Sequence, residues 1–245
     1  MTESRSRSHA RTRSARSSEG ALTREEHKEL TRQALLKATL RLLGQNSFDS
    51  ISLREVTREA GITPTAFYRH FEGMEELGMV LVEDAFASLR GMLRTARSNP
   101  AIVDDAIRQS VQVLVGHVRS HESHMRFIAR EQHGGVRRIR RAIGREIELV
   151  ATELALDLGA FPVVQGWAAD DRRLLADLIV ELMVGVAADL VDAEPREHAA
   201  LARNAERKLR LIVVGVAAWH PRSPRPPQDR TDGRSPSPRG EPRRR

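Results

Sequence analysis

The chain has no cysteine. Thiol nucleophiles, disulfides and cysteine-ligated zinc are therefore excluded, and the composition is consistent with the cytoplasm, the expected location. Aromatic residues are only 4% of the 245, and Tyr68 is the sole tyrosine. Long apolar runs are also missing. The longest, Leu211 to Trp219, is nine residues, against the roughly 20 that a spanning helix needs. The N-terminal stretch is rich in Arg and Ser with no apolar segment, so it does not read as a secretory signal. Enzyme signatures are absent as well: no Gly-x-Ser-x-Gly, no phosphate-binding Gly-Lys loop, no Gly-x-Gly-x-x-Gly and no His-Glu-x-x-His. No catalytic residue, cofactor, metal or membrane partner is expected.

The net charge of +7 does not by itself point to nucleic acid. Residues 1–22 carry five Arg against two acids, and residues 221–245 carry eight Arg against three acids. The body between them holds 27 basic and 28 acidic residues. The excess therefore sits in the tails. Segments 1–20 and 221–245 lack core-forming side chains and are expected to be disordered. The first reads as a solvated leader or as an arm that adds phosphate contacts.

The informative stretch is Ser52 to Phe71, SLREVTREAGITPTAFYRHF. Ser52 with Glu55 three residues on makes a capping box. Leu53, Val56 and Ala60 form one apolar stripe. Gly61 suits a turn that needs positive φ. Thr63 is a good N-cap, with Pro64 at the first helical position. On the second helix Phe67 and Phe71 face inward with Ile62, while Thr65, Tyr68 and Arg69 face the other way. A helix-turn-helix places such a polar face in the major groove of DNA.

Further helices follow from periodicity and breakers. The first is expected over about Thr23 to Gln45, capped by Thr23 and Glu26, with Leu35, Ala38 and Leu42 inward and Phe48 closing the small core. Three helices of this size bury little surface, so they must lean on the next element. A fourth runs from Met74 to about Arg97 and stops at Ser98-Asn99-Pro100. Others cover about Val103 to Ser120, Glu122 to Gln132, Val136 to Leu158, Asp170 to Val191 and Pro195 to Trp219, with Gly134-Gly135 as a break and Gly159 to Ala169 as a loop. The last two are apolar on several sides and carry small residues such as Gly185, Ala188 and Gly215. They read as a homodimer interface over 170–191 and 195–219, or as ordinary buried helices.

Two further groups invite chemistry. His117, His121 and His124 have spacings that can share a helix face, but a break at Ser120-His121-Glu122 would separate them and leave three solvated histidines rather than a metal site. Arg130-Glu131 and the run Arg137 to Arg141 read as a solvated face, or as cations near a pocket mouth that meet an anionic head group.

The region from Thr23 to Leu77 resembles the TetR family of bacterial transcription regulators. The resemblance rests on the turn-flanked helix pair ending in Tyr68-Arg69-His70-Phe71 and on Glu75-Glu76-Leu77 after it. One position departs: Met74 stands where the family often has a phosphate-binding lysine. The runs Leu53 to Phe71, MRFIAREQHGG from Met125 and GREIELVATELA from Gly144 look like the repressors of unsaturated fatty-acid synthesis and desaturation within that family. The resemblance implies an all-α fold, with an N-terminal three-helix helix-turn-helix DNA-binding domain (21–73) followed by a larger helical ligand-binding and dimerisation domain (74–220). It also implies a dimeric repressor on a palindromic operator. Tyr68 and His70 match positions that hold phosphate. Ser52, Thr63 and Arg69 are further DNA-binding candidates, and Arg54 and Thr65 suit base edges. The middle helices would enclose an apolar pocket for a long-chain acyl-CoA or acyl-carrier-protein ester, with Phe86, Leu114 and Phe127 as wall residues and Arg130 as a rim charge. Two alternatives stay open: a similar regulator that senses another apolar small molecule, and a ligand-independent architectural DNA-binding protein.

Overall fold

The computed structural model describes residues 23–96 and 103–219. Among these residues the regular structure is helical, with no strand. The helices are α1 (Arg24–Leu43), α2 (Leu53–Ala60), α3 (Pro64–Phe67), α4 (Met74–Ala96), α5 (Val103–Ser120), α6 (Glu122–Glu131), α7 (Arg137–Leu158), α8 (Ala169–Asp192) and α9 (His198–Ala218), with a 3₁₀ turn at Phe48–Ser50. The segments 1–20 and 221–245 and the stop at Ser98-Asn99-Pro100 lie outside the described residues.

Local chemistry sets most boundaries. Thr23 caps α1 in a reciprocal box: Glu26 N–H donates to Thr23 Oγ1 at 3.2 Å, and Thr23 N–H donates to the Glu26 carboxylate at 2.6 Å. These bonds, the backbone one first, hold the Glu26 carboxyl below its usual range. Gly61 takes a left-handed conformation, φ +70°, and ends α2. Two boundaries differ from the sequence expectation. Helix α3 ends at Phe67, with Tyr68 to His70 in a turn, instead of running on to Phe71. Residues 194–197 close a turn of their own, with Glu197 N–H donating to Glu194 O at 2.8 Å and Glu194 N–H to the Glu197 carboxylate at 3.0 Å. Helix α9 therefore starts at His198 rather than near Pro195.

The three N-terminal helices, α1 to α3, do not close a core alone. Leu35, Phe48, Val56, Phe67 and Phe71 belong to one buried cluster with Leu77 and Leu81 of α4, Phe127 of α6, and Ile139 and Ile143 of α7. Phe48 meets Phe127 with ring centroids 6.0 Å apart. Full burial of one such side chain contributes roughly 1.5–3 kcal/mol, so the borrowed residues matter to three helices this short. A second cluster joins α4, α5 and α6 to α8 and α9.

Gly78 sets the approach of α4 to α7. A Cβ built there would lie 2.5 Å from Ile139 Cδ1 and 2.7 Å from Cζ of Phe48. A side chain at this point drives apart the helices that carry the shared core. Gly78→Val is expected to destabilise the fold by about 1–3 kcal/mol, the usual range for overpacking. Urea unfolding checks this; wild-type stability in the variant would mean the α4–α7 approach is not tight.

Candidate nucleic-acid interface and apolar cavity

The two helices around Gly61 are held by their own caps. Ser52 N–H donates to the Glu55 carboxylate at 2.8 Å, Ser52 Oγ donates to the same oxygen at 2.7 Å, and Glu55 N–H donates back to Oγ at 3.3 Å. These bonds, the hydroxyl one first, hold the Glu55 carboxyl below its usual range. The Ser52 hydroxyl is thus already engaged by the cap. Thr63 Oγ1 accepts from Ala66 N–H at 3.3 Å, which leaves its own hydrogen available to a phosphate. Arg41 Nε donates to Glu59 Oε1 at 2.7 Å and ties α1 to α2. Phe67 and Phe71 are buried behind this frame, with ring centroids 5.6 Å apart.

On that frame Ser52, Arg54, Thr63, Thr65, Tyr68 and Arg69 are all exposed, and His70 is half-buried. Tyr68 is 63% exposed, although its ring stands edge-on to Phe67 at 5.7 Å. A phenol left in water beside a buried phenylalanine is placed to use its hydroxyl outward. His70 is harder to protonate than usual. Burial is the main cause, and the cations Lys28, Arg32 and Arg69 add to it. Lys28 and Arg32 are therefore part of the same positive surface, and the Arg32 guanidinium lies 5.4 Å from the centroid of the Phe71 ring. The sequence reading missed both. Their four-residue spacing on α1 was the available signal. Met74 packs against the shared core instead of presenting a cation.

The second site is a cavity among α4 to α9, with about 180 Å³ open to the centres of water molecules. Every described side chain in its wall is apolar except Ser110 and Gln132. Phe86 and Leu114 are in the wall, as expected from sequence. Phe127 and Arg130 are not. Phe127 turns to Phe48, and Arg130 Nη1 donates to the carbonyls of Asn46 at 2.7 Å and Leu43 at 3.3 Å. Beside it Glu131 is buried and accepts from Phe48 N–H at 2.9 Å. The helical period explains this split. Met125, Ile128 and Ala129 of α6, with Gln132 at its C-cap, share the cavity face, while Phe127, Arg130 and Glu131 share the face on the N-terminal helices and the 3₁₀ turn. The run from Arg137 is largely at the surface, with Arg138 paired to Glu75 at 3.1 Å.

The three histidines correct the expectation of a solvated group. His117 is buried, 2% exposed, and stacks on His121 with centroids 4.3 Å apart; His124 is half-buried, 6.2 Å from His121. The bend between α5 and α6 is a single residue. His121 N–H still donates to His117 O at 2.9 Å, so one helical turn carries both rings. Among the described residues no group of three or more possible ligands is placed to hold a metal ion. Neither ring nitrogen of His117 has a well-formed hydrogen bond, though the Ala85 carbonyl acts on the ring. Burial first, and His121 second, push its pKa down to about 4.

Residues 35–78 match the family model for bacterial regulatory proteins of the TetR family. The fold is similar to that of the fatty acid degradation regulator FadR from Bacillus halodurans (TM-score 0.61, 13% identity, 73% of this chain and 94% of that one). It is equally similar to a TetR-family transcriptional regulator from Streptomyces coelicolor (TM-score 0.61, 20% identity, 76% and 96%). A transcriptional regulator from Pseudomonas aeruginosa superposes with TM-score 0.62 at 18% identity, over 78% and 91%. The family match covers the helix-turn-helix region, and the fold as a whole is similar to those of transcription regulators. The chain carries the DNA-binding domain of the TetR family on a TetR-like all-α fold. No helix among the described residues is long and apolar enough to cross a membrane.

A buried histidine with a low pKa makes stability depend on pH. Unfolded, the ring takes a proton near pH 6.5; folded, it refuses one until about pH 4. Its contribution is fully present above the unfolded value and is lost as pH falls through this window, by up to about 1.4 kcal/mol per pH unit. His117→Leu is expected to flatten the fall in unfolding free energy between pH 6.5 and 4.5. Unchanged slopes in the two proteins would show that His117 titrates normally.

Proposed function

We propose that the chain is a dimeric repressor of a palindromic operator whose DNA affinity responds to a long-chain acyl thioester, a coenzyme A or acyl-carrier-protein ester, at genes of lipid metabolism. Residues 21–73 bind DNA, and 74–220 bind the effector and the second subunit. The observation that carries the reading is the double use of α6. One helix of ten residues has one face in the cavity wall and the other on the DNA-proximal helices. A ligand that prefers one position of α6 then prefers one position of those helices, which is what a coupling free energy requires. Helix α4, which follows the helix-turn-helix and carries Phe86 and Leu89 in the same wall, is the parallel route.

Dimerisation is supported by the outer faces of α8 and α9. Leu211 is 71% and Val214 69% exposed, with Leu174, Leu178 and Trp219 also open to water. Apolar side chains this exposed on two adjacent helices mark an interaction surface. The acyl reading draws on the apolar wall and on the likeness of Leu53–Phe71, Met125–Gly135 and Gly144–Ala155 to fatty-acid repressors. A different apolar effector fits the same wall.

A two-fold protein reads half-sites about 34–36 Å apart, or a larger spacing as paired dimers. Footprinting is expected to find symmetric protection. Arg54→Ala is expected to cost about 1–3 kcal/mol on the specific site and to relax preference there, whereas Tyr68→Ala weakens all sequences alike. Competition with scrambled DNA reads the difference. The opposite pattern exchanges the two roles, and protection without symmetry removes the dimeric repressor.

Palmitoyl and oleoyl thioesters are expected to shift operator affinity by a coupling of about 1–3 kcal/mol. Their own binding is expected to strengthen with chain length by roughly 0.8 kcal/mol per buried methylene until the cavity is full. Operator titration at saturating ester tests this. Equal DNA affinity with and without both esters removes the acyl effector and leaves the other apolar ligand or the architectural protein.

A further inference from the structure

The wall of the cavity has hydrogen-bonding groups but no charge. Among the described residues no Asp, Glu, Lys, Arg or His lines it, and Ser110 on α5 and Gln132 after α6 are its only polar side chains. Both are partly buried, and no protein hydrogen bond engages either side chain among the described residues. Arg130 is spent on the carbonyls of Leu43 and Asn46. Of the two chain neighbours of Gln132, Glu131 is an acid buried against Phe48, and His133 is exposed and not part of the wall. One wall residue is exposed: Val163, at 44%, in the turn between α7 and α8.

A carboxylate drawn into such a space gives up its water and finds no cation, which is far costlier than the same step for a neutral carbonyl or hydroxyl. Serine offers one O–H donor, and glutamine two N–H donors and one acceptor, enough for a carbonyl oxygen or an alcohol. We propose that the cavity selects an uncharged ligand end, an ester, thioester or alcohol rather than a free carboxylate or an ammonium, and that Ser110 and Gln132 are its polar recognition residues. A ligand with a charged head keeps that head outside the wall, past Val163. The proposal rests on the effector reading above and narrows it, separating acyl esters from free fatty acids.

The test uses four probes of equal chain length: methyl dodecanoate, dodecanol, dodecanoate and dodecyltrimethylammonium, at pH 8 and below their aggregation limits. Trp167 packs with the wall residues Phe161 and Val164, so tryptophan emission of the full chain reports occupancy. The ester and the alcohol are expected to bind at least tenfold tighter than either ion. Gln132→Leu is expected to weaken ester and alcohol severalfold. Gln132→Lys is expected to shift the ratio of dodecanoate to ester at least tenfold toward dodecanoate, with no gain for the ammonium. Dodecanoate binding as tightly as its ester in the wild type, or a ratio unmoved by Gln132→Lys, overturns the proposal even if operator affinity responds to both. Neutral probes that bind by preference without any acyl ester changing operator affinity leave the proposal standing and remove the acyl-effector reading. No binding by any of the four removes both.

Discussion

Three helices of the DNA-binding region are too short to bury a core, and that shortage shapes the rest of the molecule. Phe48, Val56, Phe67 and Phe71 are dry only because α4, α6 and α7 lend Leu77, Leu81, Phe127, Ile139 and Ile143. A region stabilised by borrowed side chains cannot be indifferent to where the lenders sit. Any shift of α6 or α4 is felt at the seam around Phe48, where a ring contact, a buried carboxylate bond and the close approach at Gly78 meet. Close-packed seams of this kind have few intermediate positions.

The ends of α6 illustrate how polar groups fix that seam. The last carbonyls of α1 have no intrahelical partners, and Arg130 donates to Leu43 O and Asn46 O. The first N–H of the 3₁₀ turn, at Phe48, would be buried without an acceptor, and Glu131 supplies one. Opposite needs at one junction are met by two neighbouring residues of one helix. The apolar residues interleaved with them, Ile128 and Ala129 among them, face the cavity. The cavity and the core of the N-terminal helices are separated by the thickness of a single helix.

The positive surface is built differently. The folded body has almost no net charge, so its affinity for DNA rests on arrangement. Burial first, and then Lys28, Arg32 and Arg69, disfavour protonation of His70, and Thr63, Thr65 and Tyr68 are exposed on the same domain. The excess of positive charge lies in the sequence of the two Arg-rich tails.

The sequence alone determined the elements whose signals are local. Capping boxes at Thr23 and Ser52, the positive φ of Gly61 and Pro64 at a helix start depend on neighbours within four residues, and each took the expected form. The exposed residues of α3 and of the turn after it were legible for the same reason. Tertiary structure decided what depends on which helix lies opposite. An acid and an arginine at positions 131 and 130 look like solvent residues until α1 is placed beside them. His117 looked solvated because the break at His121 was read as a separation, whereas the backbone bends there without losing its turn. Phe127 and Phe86 are equally apolar in sequence. Which of them faces a cavity and which a neighbouring ring is fixed by the rotation of each helix against its partners, and that rotation is a property of the packed whole.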